Sequence, residues 1–188
     1  MINSYDDYLK YLEADRASLN RKATLVNLLF DDIFKFQRTM RKLEYLTNCN
    51  KNKLLRLLTR YRYRLQSRQL GFEIPINVFG PGLSIAHAGT IVVNGGAKVG
   101  ANCRLHVCVN IGTEAGKSTD APTIGDNCYI GPGVKMFGKI VIGDNVAIGA
   151  NAVVNKSFPE GNATLGGIPA KVISQKSSEG LLICGYIS

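Results

Sequence analysis

Residues 124–154 read IGDNCYIGPGVKMFGKIVIGDNVAIGANAVV, and in them an aliphatic side chain returns at every sixth position: Ile124, Ile130, Met136, Ile142, Ile148 and Val154. The same spacing runs upstream through Val93, Val99, Leu105 and Ile111. Gly or Asn commonly follows the aliphatic, and four positions after it stands a smallish residue such as Ala97, Cys103, Cys128, Val134 or Ala152. A period of six matches neither the 3.6 of an amphipathic helix nor the alternation of a half-buried strand; it is the period of a solenoid. Each hexapeptide makes one short strand and a corner, with its aliphatic pointing inward. Three hexapeptides make a coil of about 18 residues, and coils stacked about 4.8 Å apart pair their strands and bury an aliphatic column. Gly or Asn beside the corner is expected to supply backbone angles that a Cβ penalises.

The period is broken where chemistry is expected. Gly71, Pro75, Gly80, Pro81 and Gly82 make the first turn irregular. From Ile111 to Ile124 is 13 residues, and the polar segment 112–123 between them reads as a loop extruded from one corner, of the kind that covers a site. The chain has two histidines, His87 and His106, 19 residues apart. That spacing places them about one rung, roughly 5 Å, apart on one edge of the solenoid. An outward imidazole adds nothing to the core, so a surface or subunit-contact histidine is the plain reading of either one. A pair on one edge points instead to a general base, since imidazole titrates near neutrality and can take a hydroxyl proton. Glu73, on the preceding coil, is a candidate to orient the ring of His87.

Upstream of Gly71 the pattern is helical. Ser4 with Asp6 and Asp7 marks a helix start, and Tyr5, Tyr8, Leu9 and Leu12 recur at helical spacing. A second helix is predicted over Thr24–Leu46, with Leu25, Leu28, Leu29, Ile33, Phe36 and Met40 as its apolar stripe. A third runs from Lys53 to about Gln66, where Leu54, Leu58, Tyr61 and Leu65 face one way. The organisation expected is a helical region over 1–70, a solenoid over 71–174 and a tail over 175–188. Charge follows the same division: residues 1–70 carry 15 Lys/Arg against 7 Asp/Glu, and residues 71–188 carry 8 against 7.

The basic run over 51–68 is read as the solvated face of a packing helix, with peripheral contact to anionic lipid as the alternative. Nucleic acid is set below both, because no binding motif accompanies the charge. The five cysteines show no CxxC pairing and are expected to be buried thiols in a reducing compartment, neither disulfides nor metal ligands. No run of eighteen apolar residues and no basic-then-apolar leader occurs, so a cytoplasmic protein is expected.

Four stretches resemble the hexapeptide-repeat acyltransferases: GPGLSIAHAGTIVVN (80–94), LHVCVNIGT (105–113), IGANAVVNK (148–156) and GGIPAKVI (166–173). Within that group the chain is most similar to serine acetyltransferases and their shorter relatives in surface-polysaccharide gene clusters. The resemblance implies a mainly β fold, a left-handed parallel β-helix with a short N-terminal helical cap. It implies acetyl-CoA as co-substrate, no metal, and a histidine that takes the acceptor's hydroxyl proton while backbone N–H groups stabilise the oxyanion. In serine acetyltransferases that histidine lies in an Asp-His-(Ala/Gly) segment, which falls on Ala86-His87-Ala88, so His87 is the first choice for the base. The family's Arg-His-Pro falls on Asp120-Ala121-Pro122; its second histidine is gone, and His106 is the candidate to take over part of its role.

The resemblance also places CoA near Pro132, Ala150, Lys156 and Lys171. The two lysines suit its phosphates, with solubilising surface lysines as the alternative reading. It implies a homotrimer, with pairing of trimers open, and a site shared between two chains. The family's C-terminal isoleucine, which docks into a partner sulfhydrylase, is missing from a chain that ends Gly-Tyr-Ile-Ser. Serine and a sugar or nucleotide-sugar hydroxyl both remain acceptors, N-acetylation of an amino sugar would use the same scaffold, and the reading of another class is a non-catalytic trimeric solenoid.

Overall fold

All ten aliphatics of the repeat point inward: Val93, Val99, Leu105, Ile111, Ile124, Ile130, Met136, Ile142, Ile148 and Val154 are each at most 6% exposed. The computed structural model describes residues 1–50, 52–117 and 119–187. Lys51 of the basic run, Ser118 of the 112–123 loop and Ser188 of the tail lie outside the described residues, as does the side chain of Leu28.

Three parallel sheets form the faces of the solenoid. The first contains Phe72–Glu73, Ile91–Val93, Asn110–Gly112, Lys135–Phe137 and Val153–Val154 in that order. The second contains Lys98–Val99, Thr123–Ile124 and Val141–Ile142, extended by bridges from Phe79 to Val99 and from Ile142 to Phe158. On the third, Ser84–Ile85, Arg104–Leu105, Tyr129–Ile130, Ala147–Ile148 and Thr164–Gly166 stack, closed by an antiparallel strand at Lys171–Ser174. The register aligns the aliphatics into columns, such as Val93, Ile111, Met136 and Val154 on the first face. Dispersion contacts along such columns hold a stack in which each coil touches only its neighbours.

The residues that follow the aliphatics serve a different purpose from the one expected. Gly100, Gly125 and Gly143 do not adopt left-handed angles. A Cβ on them would lie 2.7 Å from Gly125 C, 2.9 Å from Gly143 C and 2.3 Å from Pro159 O, so glycine is required by the close passage of the next coil. The left-handed turns fall two residues later, on Asn102, Asn127 and Asn145, joined by Asn162. Asparagine tolerates that region, and here it gains a ladder: each side-chain amide donates to the next Oδ1, from Asn102 to Asn162, at 2.9–3.0 Å.

Four helices precede the solenoid: α1 (Tyr5–Ser18), α2 (Leu25–Phe30), α3 (Asp32–Asn48) and α4 (Lys53–Leu70). Ser4 caps α1 by accepting from the Asp7 amide. The single helix predicted over 24–46 is divided at Asp31, whose carboxylate accepts from the Phe34 amide and starts α3 afresh. α4 ends at Gly71, which takes the left-handed conformation with φ +76°. Its packing face is also not the one expected. Thr59 and Leu70 are buried and Tyr63 stacks on Phe36, whereas Leu54, Leu58, Tyr61 and Leu65 face outward. On α2, Leu25, Leu29 and Phe30 are likewise exposed.

Helices and solenoid are joined by a fully buried arginine. Arg41 of α3 donates to both oxygens of Asp15, to Glu44, and to the carbonyls of Phe79 and Gly80. Asp15 Oδ1 in turn accepts from the amides of Gly82 and Leu83, each at 2.9 Å. Burial pulls the guanidinium's pKa down, but the two carboxylates outweigh it and Arg41 stays charged. Such a network is costly to break, because removing one partner leaves another charge buried alone. The tail then runs back along the asparagine ladder: Ser178 N donates to Asn145 O, Tyr186 N to Asn102 Oδ1, and Gly185 N to Ser18 Oγ on α1.

All five cysteines are free thiols. Cys103 and Cys128 occupy the interior slots expected of them, and burial pushes the Cys128 thiol up to about 12. Cys49, Cys108 and Cys184 are exposed, against expectation. No helix among the described residues is long and apolar enough to cross a membrane.

Candidate active site

The edge between the third and first faces carries the two histidines. His87 lies two residues after Ile85, and His106 one residue after Leu105, with Ile85 and Leu105 in register. That first coil is 20 residues long, so the two imidazoles are offset, with ring centroids 6.3 Å apart and planes at 57°. The expected separation of one rung is close to this, and the pair does share an edge.

The backbone around them is fixed from the helical side. Gln37 of α3 donates to Leu83 O at 2.7 Å and accepts from the Ile85 amide at 3.3 Å. Beyond His87, the Gly89 amide donates to Leu70 O and the Ile91 amide to Gly71 O. His87 therefore projects from a corner clamped on both sides. An open groove of about 500 Å³ lies next to it, with Val26, Phe30, Ile33, Leu70 and Ala88 among its lining residues.

His87 is exposed and His106 half-buried. The Nε2 of His106 is buried with no hydrogen-bond partner among the described residues, and its ring lies 5.0 Å from that of Tyr129. Burial, then Arg104, then His87 lower its pKa below the ordinary imidazole value, so His106 is neutral at physiological pH. Buried polar atoms are ordinarily paired, and this nitrogen is an exception. In the next two coils the position of His106 is taken by Gly131 and Gly149. Pro132 and Ala150 follow them, so the edge below the histidines is a strip of small residues that a long, thin ligand can lie along.

Glu73 is exposed on the first face, in register with Val92, and makes no hydrogen bond to either imidazole among the described residues. Lys156 and Lys171 are exposed, Lys156 with its ammonium 5.5 Å from the Phe158 ring and Lys171 on the closing antiparallel strand. The 112–123 loop leaves the edge between the first and second faces, so in a single chain it does not cover the histidines. Among the described residues no three His, Cys, Asp or Glu side chains converge as a metal site.

The bacterial transferase hexapeptide family (six repeats) matches residues 121–156. The chain carries the hexapeptide transferase repeat. A serine acetyltransferase of Mycobacterium tuberculosis is 38% identical to it over 124 residues, 64% of this chain and 53% of that one. Another, from Buchnera aphidicola, is 31% identical over 159 residues, 82% of this chain and 56% of that one. The chain thus spans about half the length of these curated relatives. Among solved structures, a Brucella abortus serine acetyltransferase in complex with coenzyme A superposes with a TM-score of 0.76 at 26% identity, over 92% of this chain and 70% of that one. Soybean serine acetyltransferase gives 0.74 at 26% identity, over 89% and 69%. The hexapeptide solenoid is accordingly a left-handed parallel β-helix with a helical N-terminal region.

One residue of this site escaped the sequence reading. Arg104 stands two positions before His106, pointing outward beside it, and is the only arginine after residue 68. Its rarity in the solenoid, like that of histidine, was the available signal.

Proposed function

We propose that the protein is an acetyl-CoA-dependent O-acetyltransferase of the serine acetyltransferase type. The observation that carries the reading is the His87–His106 pair at 6.3 Å, standing at the head of the cleared edge formed by Gly131, Pro132, Gly149 and Ala150. The exposed imidazole of His87 is the base that takes the proton of the acceptor hydroxyl as its oxygen attacks. Neutral His106, whose Nε2 has no partner among the described residues, holds the hydroxyl or the oxygen that gains charge. Acetyl-CoA, when bound, supplies the activated acetyl group. Pro132 and Ala150 would lie along it, and Lys156 and Lys171, both exposed cations, would meet its phosphates. Coenzyme A in the Brucella enzyme's complex supports this choice.

The chain acts as a homotrimer with each site shared between two copies, which lets a neighbour's 112–123 loop close over the histidines. Its free thiols support a reducing, cytoplasmic setting. Thiol release from acetyl-CoA with L-serine, and with a panel of sugars and nucleotide sugars, tests the reading. Release with serine supports it in full; release with sugars alone moves the acceptor to the polysaccharide alternative, and no release with any acceptor leaves a non-catalytic solenoid. A second reading, contact with anionic lipid, is favoured by the exposed stripe Leu54, Leu58, Tyr61 and Leu65 on an arginine-rich helix. Recovery of the whole protein in the soluble fraction after flotation with anionic vesicles would dismiss it.

A further inference from the structure

The outward positions of the third face, in register from coil to coil, are Ser84, Arg104, Tyr129, Ala147 and Thr164. Arg104 is the one charged side chain among them. Among the described residues its guanidinium makes a single hydrogen bond, Nη1 donating to Ser84 Oγ at 3.2 Å. No carboxylate lies within ion-pair distance of it among the described residues. Arg41, by contrast, is satisfied by two carboxylates and two carbonyls.

The donors of this half-buried guanidinium that do not reach Ser84 are open to solvent, where a ligand oxygen can take them. Its planar fork matches two oxygens of a carboxylate or phosphate. Its neighbours in register are Ser84 and Tyr129, and the His106 ring lies 5.0 Å from that of Tyr129; none of the three is acidic.

We infer that Arg104 anchors an anionic group, a carboxylate or a phosphate, on the hydroxyl acceptor, holding it beside the His87–His106 pair. This rests on the acetyltransferase reading for the word acceptor only. The acyl donor is a poor candidate for the same anchor. Arg104 lies in the second coil and Lys156 in the fifth, so the proposed phosphate contacts are about 14 Å away along the solenoid axis. His106 follows Arg104 by two residues at the same strand end, so a bidentate contact at Arg104 places the acceptor on the edge that carries the histidine pair. The site thus selects acceptors carrying an anionic group a few bonds from the reacting hydroxyl, as in an amino acid or a sugar phosphate.

Calorimetric titration of the full chain without acetyl-CoA tests this with two matched pairs. L-Serine against L-serinamide reads the carboxylate, and glucose 6-phosphate against glucose reads the phosphate. The native protein is expected to bind the anionic member of one pair at least about tenfold more tightly than its neutral counterpart, in line with a charge-assisted pair. Arg104→Gln should erase the difference and Arg104→Lys should keep part of it, with the mass of the assembly unchanged. Equal binding within both pairs, no binding of either anion, or a preference that survives Arg104→Gln would each overturn the assignment. So would a smaller assembly in Arg104→Gln, since the guanidinium would then serve subunit packing. If the preference disappears in the variant while the native protein releases no thiol from acetyl-CoA, the anion site stands and the acetyltransferase reading falls.

Discussion

Two edges of the solenoid are built from the same kind of turn and differ in what occupies it. Between the second and third faces, Asn102, Asn127, Asn145 and Asn162 take φ of 48–58°, and each side chain bonds the next. Between the third and first faces, the left-handed seats go to Cys108, Gly133 and Asn151, and His106 stands where later coils have glycine. On the first edge a repeated residue spends its polar atoms on its own copies. On the second the series is broken, and among the described residues the Nε2 of His106 has no partner and the Arg104 guanidinium bonds only Ser84. These two edges are thus told apart by whether their hydrogen-bonding groups are consumed within the chain.

This contrast can be broken at either edge. The largest effect is expected at the head of the asparagine edge, where Arg41→Ala leaves Asp15 and Glu44 buried without their cation. About 3–5 kcal/mol of unfolding free energy should be lost, read by urea denaturation; a loss below about 1 kcal/mol would mean that the network is not what joins helices to coil. On the other edge, His87→Ala should lower acetyl transfer about 10²-fold or more with the urea midpoint unchanged. Near-normal turnover in that variant would remove His87 from the mechanism.

Within the ladder, Asn127→Ala combines lost hydrogen bonds with a left-handed alanine and should cost about 2 kcal/mol, leaving turnover per folded molecule intact. A fall in turnover with no loss of stability would erase the distinction between the edges. The smallest effect concerns protonation. Arg104→Gln withdraws a positive neighbour that disfavours imidazolium, so the His106 pKa should rise towards its ordinary value in an NMR titration. A value that stays put or falls would place Arg104 too far away to act on the pair.

The solenoid was legible because its period is enforced by packing: each of the ten aliphatics is buried in the interior of the coil. The histidine pair was legible because its 19-residue spacing nearly equals one coil. The helical region was read less well, and α4 shows why. It has two apolar faces at helical spacing, Leu55, Tyr63 and Leu70 on one and Leu54, Leu58, Tyr61 and Leu65 on the other. Periodicity detects both without ranking them. The face chosen is the one that lets Tyr63 stack on Phe36 and donate its hydroxyl to Ile74 O at the first coil. Asp15, Arg41 and Glu44 resemble surface charges in sequence, and Asp15 meets Arg41 across 26 residues. Arg104 was missed because the position before each aliphatic is unconstrained by the repeat, which is also what leaves it available for function.

A stack of coils that touch only their neighbours melts from its ends, one repeat after another. The segment 178–186 alters that. It meets the fourth coil through Asn145 and the second through Asn102, then the helical cap through Ser18. Fraying at the far end has to loosen a strand that is also fastened at the near end, 167 residues away in the case of Gly185 and Ser18. The seam makes a linear array lose its order as one unit, with coils in the middle no better protected from hydrogen exchange than those at the ends.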